Sequence, residues 1–368
     1  MTRRKFIGSA LCAALAGCRT DASASAADRL RSALKLAKTQ LADGAMRGVV
    51  LGTDGVSAAA GLRTFDPVET PMTVGCRFDV ASITKPLVAA AAARLAADGR
   101  LDPEAPFTKY LPGHLLGADC RITVTDLATH ASGYENLEGF ATGIGRHPDR
   151  GEFLAKCLRF RPEHDLHWRF YYCCQNYVYL GLIVEELTGR RLDEACRELV
   201  FDPLGMSETR WGPLKDDGTV VQQPPEFVNT PNAVGEINDE RAARCGFPVG
   251  NAGVFTTVGD LLRFTGDLAR RERFPREYYD LLQRPAFRWE GKVRSFGFDM
   301  SPDPALTAAS PRAVRHSGFT GQTILADPET GVSAGVLTSR NCPHKDGLRN
   351  RNLLINRLIG AEDYPKEG

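Results

Sequence analysis

The sequence predicts a mixed α/β domain of the α+β kind: one antiparallel sheet made from both chain ends, flanked by helices, with a mainly helical subdomain inserted between. Three observations predict it. Two hairpin signals lie near opposite ends of the chain. An alanine-rich, almost continuously apolar stretch follows the first of them. Helical patterns broken by Pro and Gly fill the middle, about residues 100 to 230. The chain has 368 residues, 43% hydrophobic and 25% charged, enough for one large or two intergrown domains with a substantial core.

The first eighteen residues are expected to be an address label rather than part of the fold. Arg3-Arg4-Lys5-Phe6-Ile7 is a twin-arginine pattern, and the apolar stretch behind it ends in Leu15-Ala16-Gly17-Cys18. That stretch is too short to span a bilayer as a helix. It resembles a lipoprotein cleavage box with Cys18 as the acylated residue, so the chain is expected to be exported by the twin-arginine route and held at the envelope membrane by lipid. The polar run 19–27 reads as a tether, and the globular domain is expected over 28–365.

Residues 28–43 carry Leu30, Leu34, Ala37 and Leu41 at helical spacing and end at Gly44, the pattern of an amphipathic helix. Asp54-Gly55 then separates two apolar runs, a two-residue hairpin signal. From Ser82 to Asp98 the chain is apolar on every side, as a helix buried all round must be. Asn176 to Leu187 is a further helix that stops at Gly189. Near the end, Pro328-Glu329-Thr330-Gly331 joins two more strand-like runs, and a helix over about 346–358 closes the domain.

A net charge of +1 gives no electrostatic reason to expect a nucleic-acid partner. Loss of Cys12 with the signal and acylation of Cys18 would leave eight of the ten cysteines, scattered without a C-x-x-C pair, so mostly buried thiols are expected. His164-Asp165-Leu166-His167 lacks zinc-site spacing. No metal or cofactor is expected, and no feature fixes the oligomeric state.

Ser82-Ile83-Thr84-Lys85 is the segment with chemistry in it. Three residues are nearly one helical turn, so the hydroxyl and the amine share a face. Desolvation by the buried helix is expected to lower the amine's pKa until it can take the hydroxyl proton. The tetrapeptide alone proves little, since chance supplies about one in a chain of this length. Ser32-Ala33-Leu34-Lys35 is such a decoy, lying inside the amphipathic helix with no helix start or burial to activate it.

The segment 78–85, Phe-Asp-Val-Ala-Ser-Ile-Thr-Lys, resembles the active-site segment of the serine β-lactamase and penicillin-binding-protein superfamily. Thr129-His130-Ala131-Ser132-Gly133, Tyr172-Cys173-Cys174, Gly250-Asn251-Ala252-Gly253 and His316-Ser317-Gly318 agree with it in order, and the likeness runs over about 28–360. The branch that fits is that of class C β-lactamases, D-Ala-D-Ala carboxypeptidases and related esterases. The resemblance implies a β-lactamase/transpeptidase-like fold, with Ser82 as nucleophile, Lys85 as general base and Tyr172 as proton shuttle to the leaving group. His316 stands where many relatives have lysine and would donate to a substrate carboxylate or carbonyl; Gly318 would let the substrate backbone come close. The backbone N–H groups of Ser82 and Phe319 would form the oxyanion hole. Asn251 would line the pocket, and His130 is assigned to loop structure. Cys174 replaces the Asn of the family's Y-x-N motif, and a thiol is a poor substitute for an amide that both donates and accepts, which weakens the case for efficient β-lactam hydrolysis.

The function implied is acyl transfer to water from cell-wall peptide or muropeptide amides, of carboxypeptidase or amidase type. An esterase or weak β-lactamase on the same fold is the alternative, and a non-catalytic peptidoglycan- or penicillin-binding protein the third reading. The expected partner is a peptide, muropeptide or ester.

Overall fold

The computed structural model describes residues 24–135, 148–223, 234–340 and 347–361. The twin-arginine segment, Cys18 and Cys342 lie outside them. Ser25 caps the first helix, α1 (Ala26–Ala42), by accepting from Asp28 N, so the end of the stretch read as tether is already helix. Its buried stripe runs through Ala33 and Ala37, with Leu30, Leu36 and Leu41 packed alongside; Leu34 is not among them.

β1 (Met46–Thr53) and β2 (Val56–Thr64) meet at Asp54-Gly55, whose φ values of 45° and 86° are the left-handed pair that a tight hairpin demands. β3 (Thr70–Pro71) adds a short edge. From the other chain end come β9 (Val314–Gly318), β10 (Gln322–Asp327) and β11 (Val332–Arg340). All pairs are antiparallel, in the order β3-β2-β1-β11-β10-β9, so the sheet closes only when β1 pairs with β11. Val49 and Leu51 face α1 and the last helix, α8 (Gly347–Leu358), while Val50 faces the other core with α6 (Val258–Arg270). Both faces are covered, which is why these strands read as apolar runs rather than alternations.

Between the chain ends, α2 (Thr84–Ala97) runs through the larger core with every residue from Thr84 to Ala93 buried. A single 3₁₀ turn, Ala81–Ile83, precedes it, so Ser82 sits just ahead of the α-helix rather than opening it. Against α2 packs α5 (Cys174–Thr188), and against α5 packs α3 (Val124–Thr129), with α4 (Arg150–Cys157) joined into the same core. A small second sheet holds the start of α2: β4 (Phe78–Asp79) pairs with β6 (Val254–Thr256), which pairs with β5 (Arg210–Trp211). Val80 N donates to Val254 O, and Val254 N donates to Thr84 Oγ1. Helix α7 (Arg276–Gln283) and the hairpin of β7 (Phe287–Trp289) and β8 (Lys292–Arg294) complete the set used below.

The edge strand β9 lies directly on the 3₁₀ turn. A Cβ on Gly318 would stand 2.5 Å from Val80 O and 2.6 Å from Gln322 Oε1, so glycine is required here for the strand to reach the turn. The close approach that the missing Cβ permits is made here by the protein's own backbone at Val80. Gly318→Ala should therefore push β9 off Val80, cost about 1–3 kcal/mol of stability and lower Tm by several degrees in a thermal melt; an unchanged Tm would mean the two segments move apart freely.

Candidate active site

Ser82 reaches its place through a strained residue. Ala81 has φ 44°, a left-handed conformation that an L-residue adopts only when its surroundings impose it. What imposes it is Asp79: its Oδ1 accepts from Ala81 N at 2.8 Å and its Oδ2 from Asn238 N at 2.7 Å. Burial raises the Asp79 carboxyl to about pH 6, against the pull of those two N–H groups toward the charged form. The residue has no role in the sequence reading, although it belongs to the same motif as Ser82.

Lys85 is fully buried one turn on, and its Nζ donates to Ser82 Oγ at 3.0 Å and to Asn251 O at 2.8 Å. It also bonds the Tyr172 phenol, whose ring centroid is 5.1 Å away. Three acceptors for three N–H bonds make this a satisfied ammonium. Burial pulls the amine toward neutrality, but the charges that Cys174 and Tyr172 carry when ionised, with the Tyr172 hydrogen bond, more than offset it. The expected lowering of Lys85 is thus reversed to a rise. Desolvation was legible in the alanine-rich helix; the neighbours that defeat it come from a segment ninety residues away.

Tyr172 stands on the approach to α5, half-buried, with its ring 4.4 Å from that of His130. His130 itself caps α3 with φ 61° and is buried; its Nδ1 accepts from Cys173 N at 3.2 Å, which leaves the proton on Nε2. Burial, then Arg294 and Lys85, holds its pKa well below the ordinary value. The residue assigned to loop structure is therefore also the wall behind Tyr172. Cys173 and Cys174 open α5, Cys173 buried as its N-cap and Cys174 half-buried at its first position. Asn251 contributes its backbone carbonyl to Lys85, and both polar atoms of its buried side chain have no hydrogen-bond partner among the described residues.

His316 on β9 faces Tyr172, ring centroids 6.3 Å apart. Its Nδ1 lies 3.0 Å from Ser317 O, and because a carbonyl only accepts, Nδ1 carries the hydrogen. Burial, then the charges of Arg294 and Lys85, pushes its pKa down to about 3, so the ring is neutral and Nε2 is a bare acceptor. In the free site His316 therefore presents an acceptor at Nε2, the positive charges of Arg294 and Lys85 opposing a third beside them. Phe319 follows in the exposed turn after β9, and Thr320 Oγ1 ties that turn to Asp79 O at 2.9 Å, beside the Ser82 segment. Ser32 and Lys35 lie in α1, with Lys35 exposed. His164 and His167 pair separately, with Glu135 and Asp126. No cluster of His, Cys, Asp and Glu suited to a metal occurs among the described residues, where seven cysteines are free thiols and no helix is long and apolar enough to cross a membrane.

Residues 35–357 match the family model described as Beta-lactamase. Among curated relatives, the chain is 27% identical to the N-acetylmuramyl-L-alanine amidase of Bacillus subtilis (strain 168), over 75% of this chain and 71% of that protein. It is 28% identical to esterase EstB of Burkholderia gladioli, over 73% of this chain and 79% of that protein. Among solved structures, EstCE1, a hydrolase with promiscuous acyltransferase activity, superposes with a TM-score of 0.75 at 17% identity, covering 91% of this chain and 99% of that one.

Neutral His316 has a measurable signature. In ¹⁵N-detected NMR its ring should stay in the Nδ1–H form at pH 5, where an ordinary histidine is protonated; titration near pH 6.5 would refute the assignment. The sign for stability follows. The unfolded chain takes up this proton below about pH 6.5 and the folded chain only near pH 3, so His316 removes stability as pH falls through that window.

Proposed function

The chain belongs to the β-lactamase family and is a serine hydrolase, and from that premise we propose that it cleaves amide bonds of cell-wall peptides or muropeptides through an acyl-enzyme on Ser82. The observation that carries the reading is the buried ammonium bonded at once to Ser82 Oγ, Asn251 O and the Tyr172 phenol. Ser82 Oγ accepts from Lys85, so its own hydrogen is free to leave in another direction.

The base is the Lys85–Tyr172 pair in the form lacking one proton. The phenol oxygen of Tyr172 is taken as the proton's acceptor, since Lys85 Nζ already bonds Ser82 Oγ, Asn251 O and that phenol. Ser82 Oγ then bonds the carbonyl carbon as its proton passes to Tyr172, and the developing oxyanion takes hydrogen bonds from the N–H groups of Ser82 and Phe319. Collapse breaks the C–N bond, with Tyr172 returning the proton to the leaving nitrogen. Water repeats the sequence on the ester: its proton goes to Tyr172, its oxygen to the acyl carbon, and Ser82 recovers its hydrogen. The sequence reading made Lys85 the base; the satisfied ammonium favours Tyr172 in that part, with Lys85 holding both oxygens.

Carboxylesterase action is the second reading. Cys174 favours it, because an ester has no N–H for the missing Asn to hold, and so does the likeness to EstB. The twin-arginine pattern and Cys18 support action at the envelope, with the protein lipid-anchored there.

A fluorophosphonate probe should label the wild type and spare Ser82→Ala; equal labelling of both would refute the nucleophile. Tyr172→Phe should lower kcat by about 10²–10⁴ with folding intact. Fragments released from digested peptidoglycan, read by mass spectrometry, decide between amidase and esterase: turnover of short esters with no muropeptide cleaved would establish the second reading. Cys18→Ala should abolish lipid labelling and move the protein out of the membrane fraction.

A further inference from the structure

α1 and α8 lie side by side on one face of the main sheet, where Arg29 Nε donates to Leu358 O at 2.9 Å and Gln40 Nε2 to Asn350 O at 3.2 Å. Their charge is one-sided. α1 carries four basic residues and one acidic, and α8 three basic and none acidic, in a chain that balances 46 basic residues against 45 acidic. Three of those cations form a stripe. Arg31, Lys35 and Lys38 stand at i, i+4 and i+7, all exposed, opposite the face that buries Ala33 and Ala37. Arg31 shares Asp28, but the ammonium groups of Lys35 and Lys38 have no ion-pair partner among the described residues. Like charges one turn apart repel, so the stripe favours an anion from outside the chain.

Its place in the fold says which anion. α1 is the first element, and Ala24, just ahead of its cap, is held by a 2.8 Å hydrogen bond from Arg29 Nη1 to its carbonyl. Position 24 lies six residues beyond Cys18, a span of about 20 Å at full extension. A lipid on Cys18 therefore keeps the start of α1 near the headgroups, where anionic phosphates attract each cation that reaches the surface. The other basic hollow of the molecule, between the β1–β2 hairpin and α6, holds Arg263 and Arg270, but these are paired with Asp260 and Glu272. We propose that the outer face of α1, through Lys35 and Lys38, docks on the phosphate headgroups of an anionic bilayer and lays the helix along the membrane. The inference rests on the acylation of Cys18 and adds the orientation of the anchored protein. Among the described residues of α1 no large apolar side chain is exposed, so the contact is electrostatic rather than inserted. The sheet lies between this face and α2, so a bilayer set against α1 leaves the Ser82–Lys85 side turned away from it.

Co-sedimentation of Cys18→Ala protein with vesicles tests it. Three cations bind weakly without a lipid chain, so the partition is read at about 0.01 M salt, where the Debye length is about 30 Å. Phosphatidylethanolamine vesicles with about one-third phosphatidylglycerol should take up far more protein than phosphatidylcholine vesicles, and about 1 M salt should release it. Lys35→Gln and Lys38→Gln together should lower the anionic partition roughly thirtyfold, about fivefold per lysine. The same loss of charge through Lys109→Gln and Lys215→Gln, both exposed and outside α1 and α8, should leave it within about twofold. Equal uptake by both vesicle types, or equal loss in the two double variants, overturns the proposal. Retention on heparin without uptake by vesicles assigns the stripe to a soluble polyanion and overturns it as well. Failure of the anchor looks different: wild type and Cys18→Ala would fractionate alike and neither would take lipid label, whatever the vesicles show.

Discussion

The site depends on one buried cation. Lys85 Nζ joins the turn before α2, the segment leading into β6 and the segment leading into α5, through Ser82 Oγ, Asn251 O and the Tyr172 phenol. An ammonium placed this deep would lose several kcal/mol in desolvation if it were left unpaired. Its three bonds are therefore structural and chemical at once: remove any acceptor and both the geometry of Ser82 and the charge of the amine change. That coupling explains why the alanine-rich wall of α2 does not give a neutral lysine. The helix excludes water, and the same exclusion strengthens the attraction of every charge left inside.

The sheet serves this cation from a distance. β1 pairs with β11, so the two chain ends must come together before β9 exists as an edge, and β9 must then touch Val80 through a residue with no Cβ. Thr320 Oγ1 to Asp79 O fastens the same contact from the other side. Asp79 in turn holds Ala81 in a left-handed conformation, which sets where Ser82 leaves the chain. A line of force runs from sheet closure to nucleophile, and its links are backbone contacts more than side-chain chemistry. Such contacts transmit position without adjustable torsions, which suits a site whose tolerance is a fraction of an ångström.

Much of this was legible in the sequence where a local rule governs it. Asp54-Gly55 announces its hairpin because its left-handed backbone suits a two-residue loop, and the apolar composition of α2 announces its burial. The Ser82–Lys85 pairing follows from helical spacing. What stayed hidden depends on partners brought from afar. Nothing near Lys85 says that Tyr172 and Cys174 will act on its proton, nothing near His316 says that Arg294 and Lys85 will oppose one there, and Gly318 does not reveal that its missing Cβ makes room for Val80 O. The hairpin carrying Arg294 was missed for a smaller reason. Glu290-Gly291 is its turn, with φ 41° and 77°, but the strands on either side are three residues each and too short to show a period. An edge that short is visible only once the loop at 299–304 is folded against it.

The absent lysine at position 316 then takes on a definite meaning. A cation there, beside Lys85 and Arg294, would bring three positive charges together with Asp299 and Asp303 already committed to Arg315. A neutral imidazole avoids that repulsion while keeping a polar atom on the strand. A positive charge stands nearby on β8 instead, in the buried guanidinium of Arg294. Charge and hydrogen-bond acceptance, which a lysine on β9 could not provide together, are divided between two strands.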